Sequence, residues 1–333
     1  MKKCTFAFSL LFTLILLLFP ADHLFARDNL FSQDHIFSRG LEVHFIDAGQ
    51  GEAVLLRCSG ATVLVDSGRD TTAGDYLRDI GVETIDLAVA THAHADHIGG
   101  FPEIFEGFPV ERVWYNGQSH TTLAFEHFVD TLLDSEAEYY EPVRGDTLTF
   151  TDDAAALAIE VLHPETTAGD YEGHLHDKNI VLRAVYGEFS VLLTGDAERE
   201  TEATLLEHYG EENLRSTVLK LGHHGSNSSS SREFLKAVDP EIVVYSTAAD
   251  NPYGHPHREV VERVEELPDA RLYGTDTHGT LVVHYDGTYP RIRLPNAEET
   301  KLQSFLRLRP PSCTPDTSRA LIKPVRAISS IIM

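Results

Sequence analysis

The sequence predicts an α/β layered sandwich. Three observations carry that prediction. Short apolar runs punctuated by glycine crowd the first third of the chain. From there on, such runs alternate with amphipathic segments of helical spacing. The runs are apolar at nearly every position, as in sheets covered on both faces. In order, LEVHFIDAG from Leu41, AVLLRC and ATVLVDSG read as strands joined by tight turns. TTAGDYLRDIGV reads as a helix closed by Gly81, and IDLAVATHAH as a buried strand ending in a polar loop. Residues 121–137 carry helical spacing through Leu123, Phe128, Leu132 and Leu133. ALAIEVLHP, NIVLRAVYG and EFSVLLTGD are strands, and ERETEATLLEHYG is a helix. STVLKLGHHG (strand), SREFLKAV (helix), EIVVYS (strand) and HREVVERVEEL (helix) follow, and RLYGT and GTLVVHYDG close the fold.

The ends of the chain differ from its body. Lys2 and Lys3 precede an apolar run, Leu10 to Phe19, with Ala26 before Arg27. The run is shorter than the ~20 residues a membrane span needs and has the layout of a secretory signal. We expect residues 1–26 to be a signal peptide, 27–40 a linker, 41–295 one domain, and 296–333 a disordered basic tail. From Lys301 onward six Lys or Arg stand against one acidic residue. No other stretch could span a membrane, so no stable span is expected after processing, and the mature chain is expected in the periplasm or outside the cell. Cys4, Cys58 and Cys313 are too few and too far apart for a disulfide scaffold or an all-Cys zinc site.

The chemistry concentrates in Thr91-His92-Ala93-His94-Ala95-Asp96-His97-Ile98-Gly99-Gly100. Three His and one Asp within six residues, at a strand end, waste polar groups unless a cation holds them. Mixed imidazole and carboxylate suit Zn or Mn and support two divalent ions.

HAHADH resembles the HxHxDH signature of the metallo-β-lactamase fold. Other landmarks of that family follow in order: LVDSG with Asp66, LLTGD with Asp196, and LKLGHHGS with His223 and His224. VHFIDAGQGEAVLL, NIVLRAVYGEFSVLLTGDAE and NPYGHPH narrow the resemblance to the hydrolase domain of ComEC-type competence proteins, with Glu52 where that family more often has Asp. The resemblance covers roughly residues 41–290 and implies a four-layer αββα metallo-β-lactamase sandwich.

It also implies roles. His92 and His94 would hold a first metal, Asp96, His97 and His223 a second, and Asp196 would bridge them. The first metal's third His, which lactamase-like members carry in a GHT loop, has no such loop here. His163 is our candidate, with His174, His176, Asp177, Asn179 or a water in that position as alternatives. Strand alternation would turn only one of His223 and His224 to the metal, and we take His223. Asp66, His224 and Ser226 are expected to support the site or touch substrate. Ser228–Ser231 are expected to cap the next helix. Asp96 and His255 are expected to serve catalysis, with Asn251 and Tyr253 as lesser candidates and Asp47 structural. Two cations lower the pKa of a bridging water toward ~7 and clamp attacking and leaving oxygens.

The expected function is an exported metal-dependent phosphodiesterase or nuclease. The alternatives are a lactone, thioester or β-lactam hydrolase, and a non-catalytic DNA-uptake accessory module. The substrate would be a small phosphodiester or nucleic acid, and no protein partner is inferable. A net charge of −25 opposes tight non-specific nucleic-acid binding. Lys220, Arg199, Arg232 and the tail are the candidates for a local basic patch. Peptide mapping of protein recovered from its native host should find an N-terminus after Ala26, and an intact Met1 terminus on cytosolic protein would contradict export.

Overall fold

The apolar runs assemble into two sheets packed face to face. The computed structural model of the chain describes residues 40–151, 155–168, 171 and 173–295. The expected signal peptide, nearly all of the linker and the basic tail lie outside the described residues. Strands β1 (Leu41–Phe45), β2 (Val54–Cys58) and β3 (Ala61–Val65) form an antiparallel meander. Helix α1 (Thr72–Asp79) crosses to the parallel strand β4 (Leu87–Ala90). Two short helices, α2 (Ala95–Ile98) and α3 (Phe101–Gly107), lead to β5 (Arg112–Tyr115), and α4 (Leu123–Asp134) leads to β6 (Glu138–Tyr140), both parallel additions.

The second sheet repeats the plan. Strands β7 (Thr147–Thr151), β8 (Ala156–His163), β9 (Val181–Tyr186) and β10 (Phe189–Leu193) are antiparallel. Helices α5 (Arg199–Leu214), α6 (Arg232–Val238) and α7 (Arg258–Glu265) then carry the chain through parallel strands β11 (Val218–Lys220), β12 (Ile242–Tyr245) and β13 (Arg271–Gly274). The single-turn helix α8 (Thr275–His278) returns it to the first sheet, where β14 (Leu281–Tyr285) pairs with β1 and β15 (Pro290–Arg293) forms the edge. The orders are β15-β14-β1-β2-β3-β4-β5-β6 and β13-β12-β11-β10-β9-β8-β7.

Strand alternation divides the apolar residues into three cores. Val63 and Val65 of β3 meet Val191 and Leu193 of β10 in the layer between the sheets. Leu64 turns outward beneath Leu77, Phe101 and Phe128 of the first helical layer. Leu192 and Leu219 turn outward beneath Leu205, Phe234 and Val260 of the second. The result is the expected αββα sandwich. Among the described residues no helix is long and apolar enough to cross a membrane.

The elements without a sequence reading are short or at edges. Helices α2 and α3 hold four and seven residues, too few to show a period. Strands β7 and β15 are edge strands with every second residue exposed. Helix α4 corrects part of its predicted face: Phe125, Phe128, Val129 and Leu132 are buried, while Leu123 and Leu133 face solvent. Ser231 caps α6 as expected, accepting from the Phe234 N–H at 3.3 Å.

Phe189 of β10 stacks on Tyr285 of β14, ring centroids 4.9 Å apart, and joins the two sheets away from the polar loops. Phe189→Ala should lower unfolding free energy by about 3–5 kcal/mol in urea titrations at unchanged m-value.

Candidate metal centre

Most ligand-type side chains of the centre lie just past a strand end; His176, on a 3₁₀ turn between β8 and β9, is the exception. After β4 the chain leaves the sheet at Thr91; the loop into α2 carries His92 and His94, and α2 itself carries Asp96 and His97. After β10, Gly195 adopts φ 49°, and a Cβ there would collide with the Asn179 side chain. Only glycine makes that turn without strain. Asn179 Oδ1 then accepts from the Asp196 N–H at 3.0 Å, and Asn179 Nδ2 donates to Thr194 O at 2.8 Å. The Asp196 backbone is therefore clipped from both sides.

Two clusters converge. In the first, His92 Nε2 and His94 Nδ1 lie 2.9 Å apart, and His176 Nε2 lies 3.1 Å from the same His94 nitrogen. Asp196 Oδ2 stands 3.6 Å from His92 Nε2 and 3.3 Å from His176 Nε2. In the second, His224 Nε2 lies 3.6 Å from Asp96 Oδ2, and the other Asp196 oxygen, Oδ1, lies 3.2 Å from His97 Nε2 and 3.6 Å from His224 Nε2. Asp196 thus turns one oxygen to each cluster.

The donor set fits divalent metal. One ring nitrogen, His94 Nδ1, with two others within hydrogen-bond distance of it and an acidic oxygen beside them, is poorly served by the rings' own few protons. In the second cluster His97 Nε2, His224 Nε2 and Asp196 Oδ1 are buried without a hydrogen-bond partner among the described residues. Buried polar atoms left unpaired are costly, and a cation at their focus would remove that cost. The outer nitrogens are already used. His224 Nδ1 donates to Ser246 O at 2.9 Å, which leaves its Nε2 lone pair facing the cluster. His97 Nδ1 meets Asp66 Oδ2 at 2.7 Å, and Asp66 also accepts from the Thr91 N–H and hydroxyl, each at 2.8 Å. Such outer carboxylates and carbonyls set the ring orientation of metal-binding His.

The electrostatics of the first cluster agree. Burial and the neighbouring His97 hold the His92 pKa well below normal, and burial with His176 puts His94 at about 4, so both rings are neutral at pH 7. Burial opposes ionisation of Asp196, but His97 and His224 overcome it and keep the carboxylate ionised.

A sequence profile described as the Metallo-beta-lactamase superfamily matches residues 46–250. The chain belongs to that superfamily. Its sandwich and its His and Asp clusters are those of a metallo-hydrolase. It is 34% identical over 239 residues to competence protein ComA of Neisseria gonorrhoeae, covering 71% of this chain and 31% of that protein. It is 28% identical over 265 residues to ComE operon protein 3 of Bacillus subtilis, covering 73% and 33%. The chain thus spans about a third of the length of these competence-type relatives. Among solved structures, the metallo-hydrolase Igni18 of Ignicoccus hospitalis is similar at 22% identity and a TM-score of 0.48, over 73% of this chain and 99% of that one.

The geometry of this superfamily member revises two expected ligands. His163 ends β8, but its Nδ1 donates to Asn179 O at 2.7 Å and it joins neither cluster. His176, on the short 3₁₀ turn Leu175–Lys178, takes the place proposed for it. The strand expected through residues 216–225 stops at Lys220. His223 and His224 both adopt left-handed backbone, φ 47° and 54°, so strand alternation does not govern them. The turn sends His224 into the second cluster. His223 stays beside the centre, its Nδ1 3.1 Å from Glu198 Oε1 and its Nε2 3.8 Å from Asp196 Oδ2. Two such residues in succession store about 1–3 kcal/mol of strain each, as is found at functional sites.

The other expected residues are placed as follows. His255 lines the cleft above the centre, in a loop tied by Asn251, whose side chain accepts from the His255 N–H at 2.9 Å. Tyr253 stacks on His255 at the same rim. Asp66 lies behind His97 and outside both clusters. Ser226 is buried off the cleft, its Oγ 3.0 Å from Ser228 Oγ. Asp47 is at the surface and accepts from the Gly49 N–H. The basic-patch residues are engaged elsewhere: Lys220 is fully buried, Arg199 donates to Asn227 O, and Arg232 forms a forked pair with Glu266. Sequence reasoning passed over Arg69, the one Lys or Arg lining the cleft among the described residues. Its position directly after the LVDSG motif was the available signal.

His176→Ala and His224→Ala should each weaken Mn binding by more than the ~10–100-fold that loss of an outer partner costs. His163→Ala should bind as wild type. Calorimetric titration of chelator-stripped protein measures both.

Proposed function

We propose that the chain is an exported phosphodiesterase that works with two divalent ions, Zn or Mn, and acts on small phosphodiesters. His92, His94, His176 and Asp196 would hold one ion, and Asp96, His97, His224 and Asp196 the other. Bound there, the ions would supply an activated water and electrostatic stabilisation of the attacking and leaving oxygens.

One observation carries the substrate reading. On a protein of charge −25, the only carboxylates lining the cleft among the described residues are Asp96 and Asp196, and both face the His clusters. The remaining polar lining is neutral or cationic: Gln50, Arg69, His120, Thr122, His223 and His255. That lining suits an anion. A single guanidinium suits one diester better than a duplex, whose binding draws on many phosphate contacts. Burial, with His224 and His223 next, puts the His255 pKa at about 4. Its neutral ring at the rim would contact substrate by hydrogen bonding. Similarity to competence-type proteins and the leader sequence support export and a phosphodiester target.

The test is an assay panel on mature protein with Mn or Zn: bis-p-nitrophenyl phosphate, single- and double-stranded DNA, and nitrocefin. We expect diester cleavage that is abolished by chelator and reduced to background by Asp196→Ala. Arg69→Ala should raise KM with a smaller change in kcat. Salt should matter little for the small diester and should speed any action on DNA by screening repulsion. Efficient nitrocefin hydrolysis without action on any phosphodiester would overturn the reading in favour of a carbonyl hydrolase, and inertness of metal-loaded protein towards the whole panel would favour an accessory module.

A further inference from the structure

Beneath the centre lies an ion pair that none of the roles above uses. Lys220, the last residue of β11 in the second sheet, and Glu52, in the β1–β2 loop of the first, are both 0% exposed. Lys220 Nζ donates to Glu52 Oε2 at 2.6 Å and to Leu221 O at 3.1 Å. The second Glu52 oxygen, Oε1, is buried without a hydrogen-bond partner among the described residues. Glu52, His97 and Asp196 can each offer a ligand atom within 4.8 Å of the others.

The pair is also tied by its backbone to each segment that carries the centre. The Glu52 N–H donates to Asp96 O at 3.0 Å, and Glu52 O accepts from the Gly68 N–H at 2.7 Å, two residues past Asp66. Lys220 O accepts from the Thr194 hydroxyl at 2.7 Å, two residues before Asp196. Leu221, which Nζ holds, opens the turn that carries His224.

A buried ion pair is poor evidence of stabilisation, because desolvating both charges offsets their attraction and well-packed apolar replacements often do as well or better. The pairing of a fully buried carboxylate with a free oxygen beside the cluster calls for another account. We infer that Lys220 and Glu52 are positioning residues for the second metal site: the ammonium fixes one oxygen of Glu52 so that the other presents negative charge to the His97–Asp196 edge. The inference rests on the metal-centre reading above and adds two residues to it. Lys220 also balances a carboxylate that would otherwise stand unpaired in the interior when no ion is bound.

The experiment titrates Mn into chelator-stripped full-length protein by calorimetry and follows melting by circular dichroism in parallel. In the double variant K220M/E52L we expect the melting temperature of the metal-free protein to be kept or raised, and Mn to bind about 10–100-fold more weakly, as for loss of an outer-shell partner. E52D keeps the charge and should retain most of the affinity. A merely structural role would move melting and leave affinity alone. Should the double variant fail to fold, E52Q, which keeps the shape and removes the charge, carries the same expectation of weakened Mn binding. Folded variants that bind Mn as wild type does overturn the positioning role. Wild-type protein that takes up neither Mn nor Zn overturns the metal-centre reading itself, and the positioning role with it.

Discussion

One carboxylate organises this molecule. Asp196 gives Oδ2 to the cluster of His92, His94 and His176, and Oδ1 to His97 and His224. It is 2% exposed and ionised against its burial, because imidazoles surround both oxygens. A single carboxylate can serve two clusters only if its backbone does not move. The Asn179 clip and the glycine-only turn at Gly195 supply that rigidity from the neighbouring loop. A site built past strand ends and braced by such contacts holds its ligands more precisely than a free loop would.

The topology explains why the ligands meet. Each sheet begins antiparallel and turns parallel at one strand boundary, β3 to β4 in the first and β10 to β11 in the second. At each boundary the two parallel neighbours bring successive C-terminal strand ends side by side, so the loops that follow them start next to each other. Asp66 follows β3 and the His92–His97 loop follows β4; Asp196 follows β10 and His223–His224 follow β11. The two sheets thus contribute matching pieces, an Asp and a His loop each, to one rim. They are not chemically equivalent. Asp66 is turned to the outer nitrogen of His97, whereas Asp196 faces the clusters directly.

This division also sets what the sequence could reveal. The layered architecture was legible because strand and helix periods are local, and the HAHADH loop was legible because its ligands are neighbours in the chain. Asp196 was legible through its motif at a strand end. His176 was harder to choose, because the residues before it lie in a polar loop of no period, and His163 held the more regular position at the end of β8. The choice between His223 and His224 failed for a different reason. It assumed an extended backbone, and the chain instead makes two left-handed steps that reverse which ring faces inward. Lys220 illustrates the limit of charge counting: a lysine read as part of a basic surface patch is a buried partner of Glu52, 168 residues away in sequence.

The net charge of −25 then takes on a local meaning. Charges more than about 8 Å from the cleft are largely screened at physiological salt, so the exposed acids of the outer helices act weakly on a small ligand at the rim. What acts on it is the lining, where, among the described residues, Asp96 and Asp196 are the carboxylates and both face the His clusters, while Glu198 sits behind His223. A long polyanion differs, because the parts of it beyond the cleft would meet the net negative charge of the protein. On the proposed reading, this charge distribution would favour a compact anion over an extended one without any base-reading or shape-reading element.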